Sequence, residues 1–162
     1  MYFLKSGIKK HPVKRWNLPD RIFFGFGACH ILAGVYLKKF PDKGFYALRI
    51  EPKTGFYGNH IFITNGIVAF DFHGYSLNSQ LIKHFWKGWS DRYPGWDASI
   101  EKVDYPLLDT ESLNQRKMLG PDQYLHNPIE RAERFMNRFD HEHLIFAAYR
   151  KNKEELSAFC CL

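Results

Sequence analysis

NHIFITNGIVAFDFHG, residues 59–74, carries the sharpest local instruction in the chain. Two runs of β-branched and aromatic residues flank Asn65-Gly66, the dipeptide favoured in a two-residue type I′ hairpin turn. With Asn65 and Gly66 as the central residues, Ile63 lies opposite Val68, Phe62 opposite Ala69, and His60 opposite Asp71. Alternation along each strand then places His60, Phe62, Ala69 and Asp71 on one face, and Ile61, Ile63, Val68 and Phe70 on the other. In this register His60 and Asp71 form a directly opposed, hydrogen-bonded pair with Cα atoms roughly 5.5 Å apart. A carboxylate so placed accepts a proton from one imidazole nitrogen and turns the other outward, which is how a base is oriented in nucleophilic catalysis.

A base needs a nucleophile, and the stretch FGFGACHILAGVYLKKF, residues 24–40, supplies a candidate. Apolar residues at Ala28, Ile31, Leu32 and Val35 have the spacing of one buried helical face. The helix begins near Cys29 and stops by Phe40, because Pro41-Asp42-Lys43-Gly44 supplies helix-ending and turn chemistry. A thiol at a helix N-terminus feels the partial positive charge of the unsatisfied N–H groups, and a nearby imidazolium lowers its pKa further. Gly25 and Gly27 leave room for a substrate backbone, so Gly27 joins Asn59 and Tyr75, which flank the proposed site, as a substrate-binding candidate. Alternatively, Cys29 is a small core residue, the usual fate of a free cysteine.

Cysteine at a helix start, histidine on a following strand and an acidic residue on the next resemble the papain-like and transglutaminase-like cysteine enzymes. The resemblance covers roughly residues 20–75 and consists of three positions and their order. It implies Cys29 as nucleophile, His60 as its base and Asp71 as the group that orients the imidazole. The chain departs from these families in having histidine, not an aromatic, after Cys29. Phe23 and Phe24 stand where papain itself has its oxyanion-side glutamine. The oxyanion donor is therefore unassigned, although the backbone N–H of Cys29 is available.

Other polar residues have weaker claims. His30 lies about 100° round the helix from Cys29 and reads as a packed or surface histidine. His73 shares the face of Asp71, so His60, Asp71 and His73 make an alternative two-histidine, one-carboxylate metal site. Trp86, Trp89, Tyr93 and Trp96 surround the Pro94-Gly95 turn as structural packing or as a groove. His141 and His143 have no partner at informative spacing.

The rest of the chain is ordinary for one α+β domain across 1–162, a central antiparallel sheet with the nucleophile-bearing helix packed against it. At 162 residues, 45% hydrophobic and 25% charged, it can bury a sizeable core. Residues 1–19 read as an irregular arm, 45–52 and 98–108 as strands, and Ser76 as the cap of a helix through Phe85. A short helix follows from Asp109 or Thr110, and another starts at Asn127-Pro128. Residues 143–150 suit either a last strand or a continued helix, and 151–162 a flexible tail.

The net charge of +6 makes acidic partners possible, although the charge is spread along the chain. Lys9, Lys10, Lys14 and Arg15 read as a solvated lead-in. Cys29, Cys160 and Cys161 provide neither a disulfide framework nor structural zinc spacing, and Phe159 breaks a prenylation box. Without a signal peptide or spanning segment in the sequence, the expected location is the cytoplasm. The expected activity is hydrolysis or acyl transfer at an amide of a peptide, protein or related substrate: protease, amidase, deamidase or transglutaminase-like. It needs no cofactor and no membrane. The rival is a non-catalytic basic module that binds protein or nucleic acid.

Overall fold

The computed structural model describes residue 4 and residues 7–159, with side chains through residue 157; Cys160 and Cys161 lie outside the described residues. Its centre is a five-stranded antiparallel sheet in the order β4-β3-β2-β1-β5. The strands are β1 (Tyr46–Pro52), β2 (His60–Thr64), β3 (Val68–Asp71), β4 (Gly74–Leu77) and β5 (Ala98–Lys102). The helices before the sheet are α1 (Pro12–Trp16), α2 (Asp20–Gly25) and α3 (Cys29–Lys39). Those after its strands begin are α4 (Asn78–Ser90), α5 (Thr110–Gln115), α6 (Pro128–Met136) and α7 (His141–Phe159). The chain is thus α+β.

Both faces of the sheet are covered, which explains why every residue of β2 and β3 is buried. Ile61, Ile63, Val68 and Phe70 pack with Ile31, Leu32, Val35 and Tyr36 of α3 and with Ala132, Phe135 and Met136 of α6. Phe62 and Ala69, which point the other way, join Ile50 and the α4 side chains Leu81, Phe85 and Trp89, with Trp96 beside them. Each large apolar side chain so enclosed contributes about 1.5–3 kcal/mol. The α3 helix is more enclosed than a single apolar stripe predicts. His30, Gly34 and Tyr36 are buried as well, because α3 sits between the sheet and α6 rather than on the surface.

The hairpin keeps the expected faces but not the expected register. Ile63 pairs with Phe70 and Thr64 with Ala69, a slip of two residues. Gly66, at φ +95°, and Ile67 cross the tip, so the glycine occupies the first central position, as in a type II′ turn. The reason is side-chain chemistry. Asn65 Oδ1 accepts from the N–H groups of Ile67 and Val68 (3.2 and 2.9 Å), while Thr64 Oγ1 donates to the Val68 carbonyl (2.8 Å). Asn65 therefore caps the turn instead of occupying its centre. A slip of two preserves the alternation, whereas a slip of one would have exchanged the faces.

Three further expectations are corrected. The arm is helical over Pro12–Trp16, held where Arg131 reaches Asp20 Oδ1 (2.8 Å) and the Leu18 carbonyl (2.6 Å). Ser76 lies within β4, paired with Ala69, so α4 starts after Leu77. Residues 151–159 continue α7 rather than forming a flexible tail, and Gln80 bonds Lys151 and Glu155 there. Residues 143–150 belong to that same helix, separated from α6 by residues 137–140.

Candidate active site

The β2–β3 ladder is formed at its turn end and is absent at His60 and Asp71. Where the pairing stops, a small space is lined by Cys29, Leu32 and Ala33 of α3 together with His60, Phe62 and Asp71. The N-terminus of α3 thus meets the open end of the hairpin, and that meeting brings the cysteine to the histidine.

His60 and Asp71 are not directly opposed, because of the two-residue slip, yet they remain on one face and their side chains touch diagonally. His60 Nε2 lies 3.1 Å from Asp71 Oδ2, with both residues buried. The His60 ring stacks on Phe85 at 5.2 Å and 12° and meets Phe72 edge-on. The carboxylate fixes Nε2 as the protonated nitrogen. His60 Nδ1 is buried and finds no nitrogen or oxygen partner, so with Nε2 taken by Asp71 it is the nitrogen that turns to the Cys29 thiol.

The electrostatics follow from this placement. Burial pushes the Cys29 thiol up, but hydrogen bonding and positive charge from His30 and His60 outweigh it and pull the thiol well below its ordinary value. Burial pushes His60 down, and it is nevertheless raised to about 9 by hydrogen bonding and charge from Asp71 and Cys29. Asp71 is opposed by burial, but His60 and His73 hold it below the usual carboxylate range. These shifts favour a thiolate beside an imidazolium, with a carboxylate behind it, over the neutral pair, and the two groups titrate as a unit. Cys29 is the first residue of α3, no side chain caps that end, and the first intrahelical bond runs from Leu32 to Ala28. The Cys29 N–H is therefore left without a partner in the helix.

Cys29, itself partly exposed, opens onto a cavity of about 670 Å³ that also reaches Gly27, His30, Asn59 and His60. Gly27 is anchored there, because Tyr124 Oη donates to its carbonyl at 2.6 Å. Tyr75 is corrected: paired with Phe70, it points to the opposite face. It hydrogen-bonds Tyr36 Oη and His141 Nδ1, each at 2.8 Å, giving His141 a partner that its spacing did not announce.

His30 is the residue undervalued by helical geometry. It is buried, its Nε2–H donates to the Leu119 carbonyl at 2.8 Å, and its ring acts on the Cys29 thiol. An angle of 100° does not separate neighbours when the first of them is a short side chain at a helix end and the second is a planar ring. The adjacency of cysteine and histidine was itself the available signal.

His73 binds Asp71 rather than facing His60 across a metal-sized gap. Its backbone N–H donates to Asp71 Oδ1 at 2.8 Å and its exposed ring approaches Oδ2 at 3.4 Å. Among the described residues no group of three or more His, Cys, Asp and Glu side chains is arranged to hold a metal ion. Trp89 and Trp96 are core residues of the α4 face. No helix among the described residues is long and apolar enough to cross a membrane. Compared with known proteins, the chain matches no family model, no curated protein and no solved structure.

Proposed function

We propose that the chain is a cysteine-dependent hydrolase or acyl transferase acting on an amide bond, with a papain-like or transglutaminase-like arrangement of Cys29, His60 and Asp71. The observation that carries this reading is the buried His60 imidazole. One of its nitrogens is held by Asp71 at 3.1 Å and the other is left for a thiol at a helix N-terminus, on the wall of a large cavity. A structural histidine is normally satisfied at both nitrogens when buried.

In the proposed reaction the Cys29 thiolate attacks the amide carbonyl carbon, and the oxygen takes the negative charge opposite the free N–H of Cys29. The His60 imidazolium gives its Nδ1 proton to the leaving nitrogen as the carbon–nitrogen bond breaks, leaving a thioester on Cys29. Neutral His60 then takes a proton from water, or from an amine acceptor, as that nucleophile attacks the thioester. The thiolate leaves and the imidazolium is restored. Asp71 holds the ring throughout, and Gly27 and Asn59 line the approach to the sulfur.

An activated ester, p-nitrophenyl acetate, tests this chemistry without knowledge of the natural substrate. The expected result is a burst of nitrophenol equal to one enzyme equivalent and a single acetyl group on Cys29, both lost in Cys29→Ala. Acylation of Cys29 no faster than that of a simple thiol would contradict the reading.

A further inference from the structure

The cavity that contains Cys29 is unevenly charged. Lys9, Arg15, Arg21 and Lys117 line it, and none of the four forms an ion pair among the described residues. Among the described residues the single carboxylate on the wall is that of Glu51, which is neutralised by its neighbour Arg49. Arg131 and Arg138, by contrast, share Asp20.

Arg15 is also seated rather than waving in solvent. Its guanidinium donates to the carbonyls of Lys9 and Gln123 (3.1 and 3.5 Å) and lies 5.0 Å over the ring of Tyr124. That same tyrosine holds the Gly27 carbonyl, two residues before the sulfur. Carbonyl partners position a guanidinium but leave its charge uncompensated. Four uncompensated cations around one concave surface repel each other and the His60 imidazolium, a cost that an anionic ligand removes. Concave walls also focus the field, so such a mouth concentrates anions.

We infer that the substrate of Cys29 is an acidic peptide segment, with carboxylates flanking the scissile amide that are read by Arg15, Arg21, Lys9 and Lys117. This rests on the thiol reading of Cys29 given above. A carboxylate suits the seated Arg15 because a planar fork pairs with a planar acid. Phe26, Phe56 and Tyr57 also line the cavity and provide apolar surface for the peptide between its charges.

Two alkylating reagents of similar size separate the charge claim from the catalytic one. Cys29 is labelled with iodoacetate, an anion, and with neutral iodoacetamide, and the rate ratio is compared with that of N-acetylcysteine. The expected ratio is about tenfold higher than for the small thiol. It should fall at least about threefold in Arg21→Glu and in Lys117→Glu, both at exposed positions, and fall with added salt. The ratio cancels any change in Cys29 ionisation that these substitutions bring, because both reagents meet the same thiolate.

A peptide arm identifies the source of the negative charge. A glutamate-rich peptide should protect Cys29 from iodoacetamide, whereas a lysine-rich peptide of equal length and inorganic phosphate should not. Fast iodoacetamide labelling with an ordinary reagent ratio, or a ratio unmoved by both substitutions, overturns the acidic-substrate inference and leaves the catalytic reading standing. Protection by phosphate but not by the acidic peptide overturns it in favour of a phosphate-bearing ligand. Slow labelling by both reagents removes the catalytic reading, and this inference with it.

Discussion

His60 has 1% of its surface exposed and Asp71 5%, so their contact is a buried ion pair rather than a surface one. Removing one partner of such a pair costs about 3–5 kcal/mol, because the other is left uncompensated in the interior. Asp71→Ala should therefore lose stability on that scale in urea unfolding at pH 7, and a loss below about 1 kcal/mol would show the pair to be weak. The pH dependence has a definite sign. His60 is raised from 6.5 to about 9, so its contribution is complete below about pH 6.5 and disappears as pH rises through about 9. Asp71 is lowered, so its contribution is present above the usual carboxylate range and is lost only in strong acid. The alkaline decline should be smaller in Asp71→Ala, because the imidazole then keeps only Cys29 to raise it. The residue types of the site were legible from sequence, since cysteine, histidine and aspartate have few joint uses. His30 was obscured because an angle round a helix axis says nothing of how two side chains lean at its first turn.

At the scale of elements, the hairpin shows what a pattern specifies and what it leaves open. Strand alternation gave the correct faces for His60 and Asp71 in either register, because both candidate turns preserve parity. The register itself was decided by Asn65 Oδ1 and Thr64 Oγ1 binding the turn backbone, a choice that dipeptide preference does not contain. Ser76 was misread for a related reason: a residue suited to capping also fits a short edge strand when its partner Ala69 is already in place. The arm was misread because its short helices depend on Arg131, more than a hundred positions away. The loop between β1 and β2 offers a direct test. Gly58 has φ +107°, and a Cβ there would overlap the indole of Trp89, which is buried against Phe85 and Trp96. Gly58→Ala should cost about 2 kcal/mol or more, from overpacking and backbone strain together, and should slow Cys29 chemistry by displacing the cavity wall. Unchanged stability by thermal melting would mean that the loop is not fixed by this contact.

For the whole molecule, the sheet is the shared wall of two cores, and the site lies at the end where one helix from each side comes close. Ile63 and Phe70 face α3 while their neighbours Phe62 and Ala69 face α4, so neither core survives loss of the sheet. Unfolding followed by tryptophan fluorescence, weighted to Trp89 and Trp96, should coincide with unfolding followed by far-ultraviolet circular dichroism. Two separated transitions would show that the α4 side folds independently. The same architecture places Cys29 where the proposed chemistry needs it. Its helix is buried from His30 to Tyr36, but its first residue lines the cavity, beside a buried imidazole with a nitrogen to spare.

The central claim, that Cys29 is a thiolate held by His60, is tested most directly by the pH dependence of its alkylation with iodoacetamide. The rate at pH 6 should be at least about tenfold above that of a free thiol, nearly level to pH 8, and clearly lower at pH 6 in His60→Ala, where only His30 still lowers the thiol. A wild-type rate that simply follows the ionisation of an ordinary thiol near pH 8.5, indifferent to His60→Ala, would contradict it.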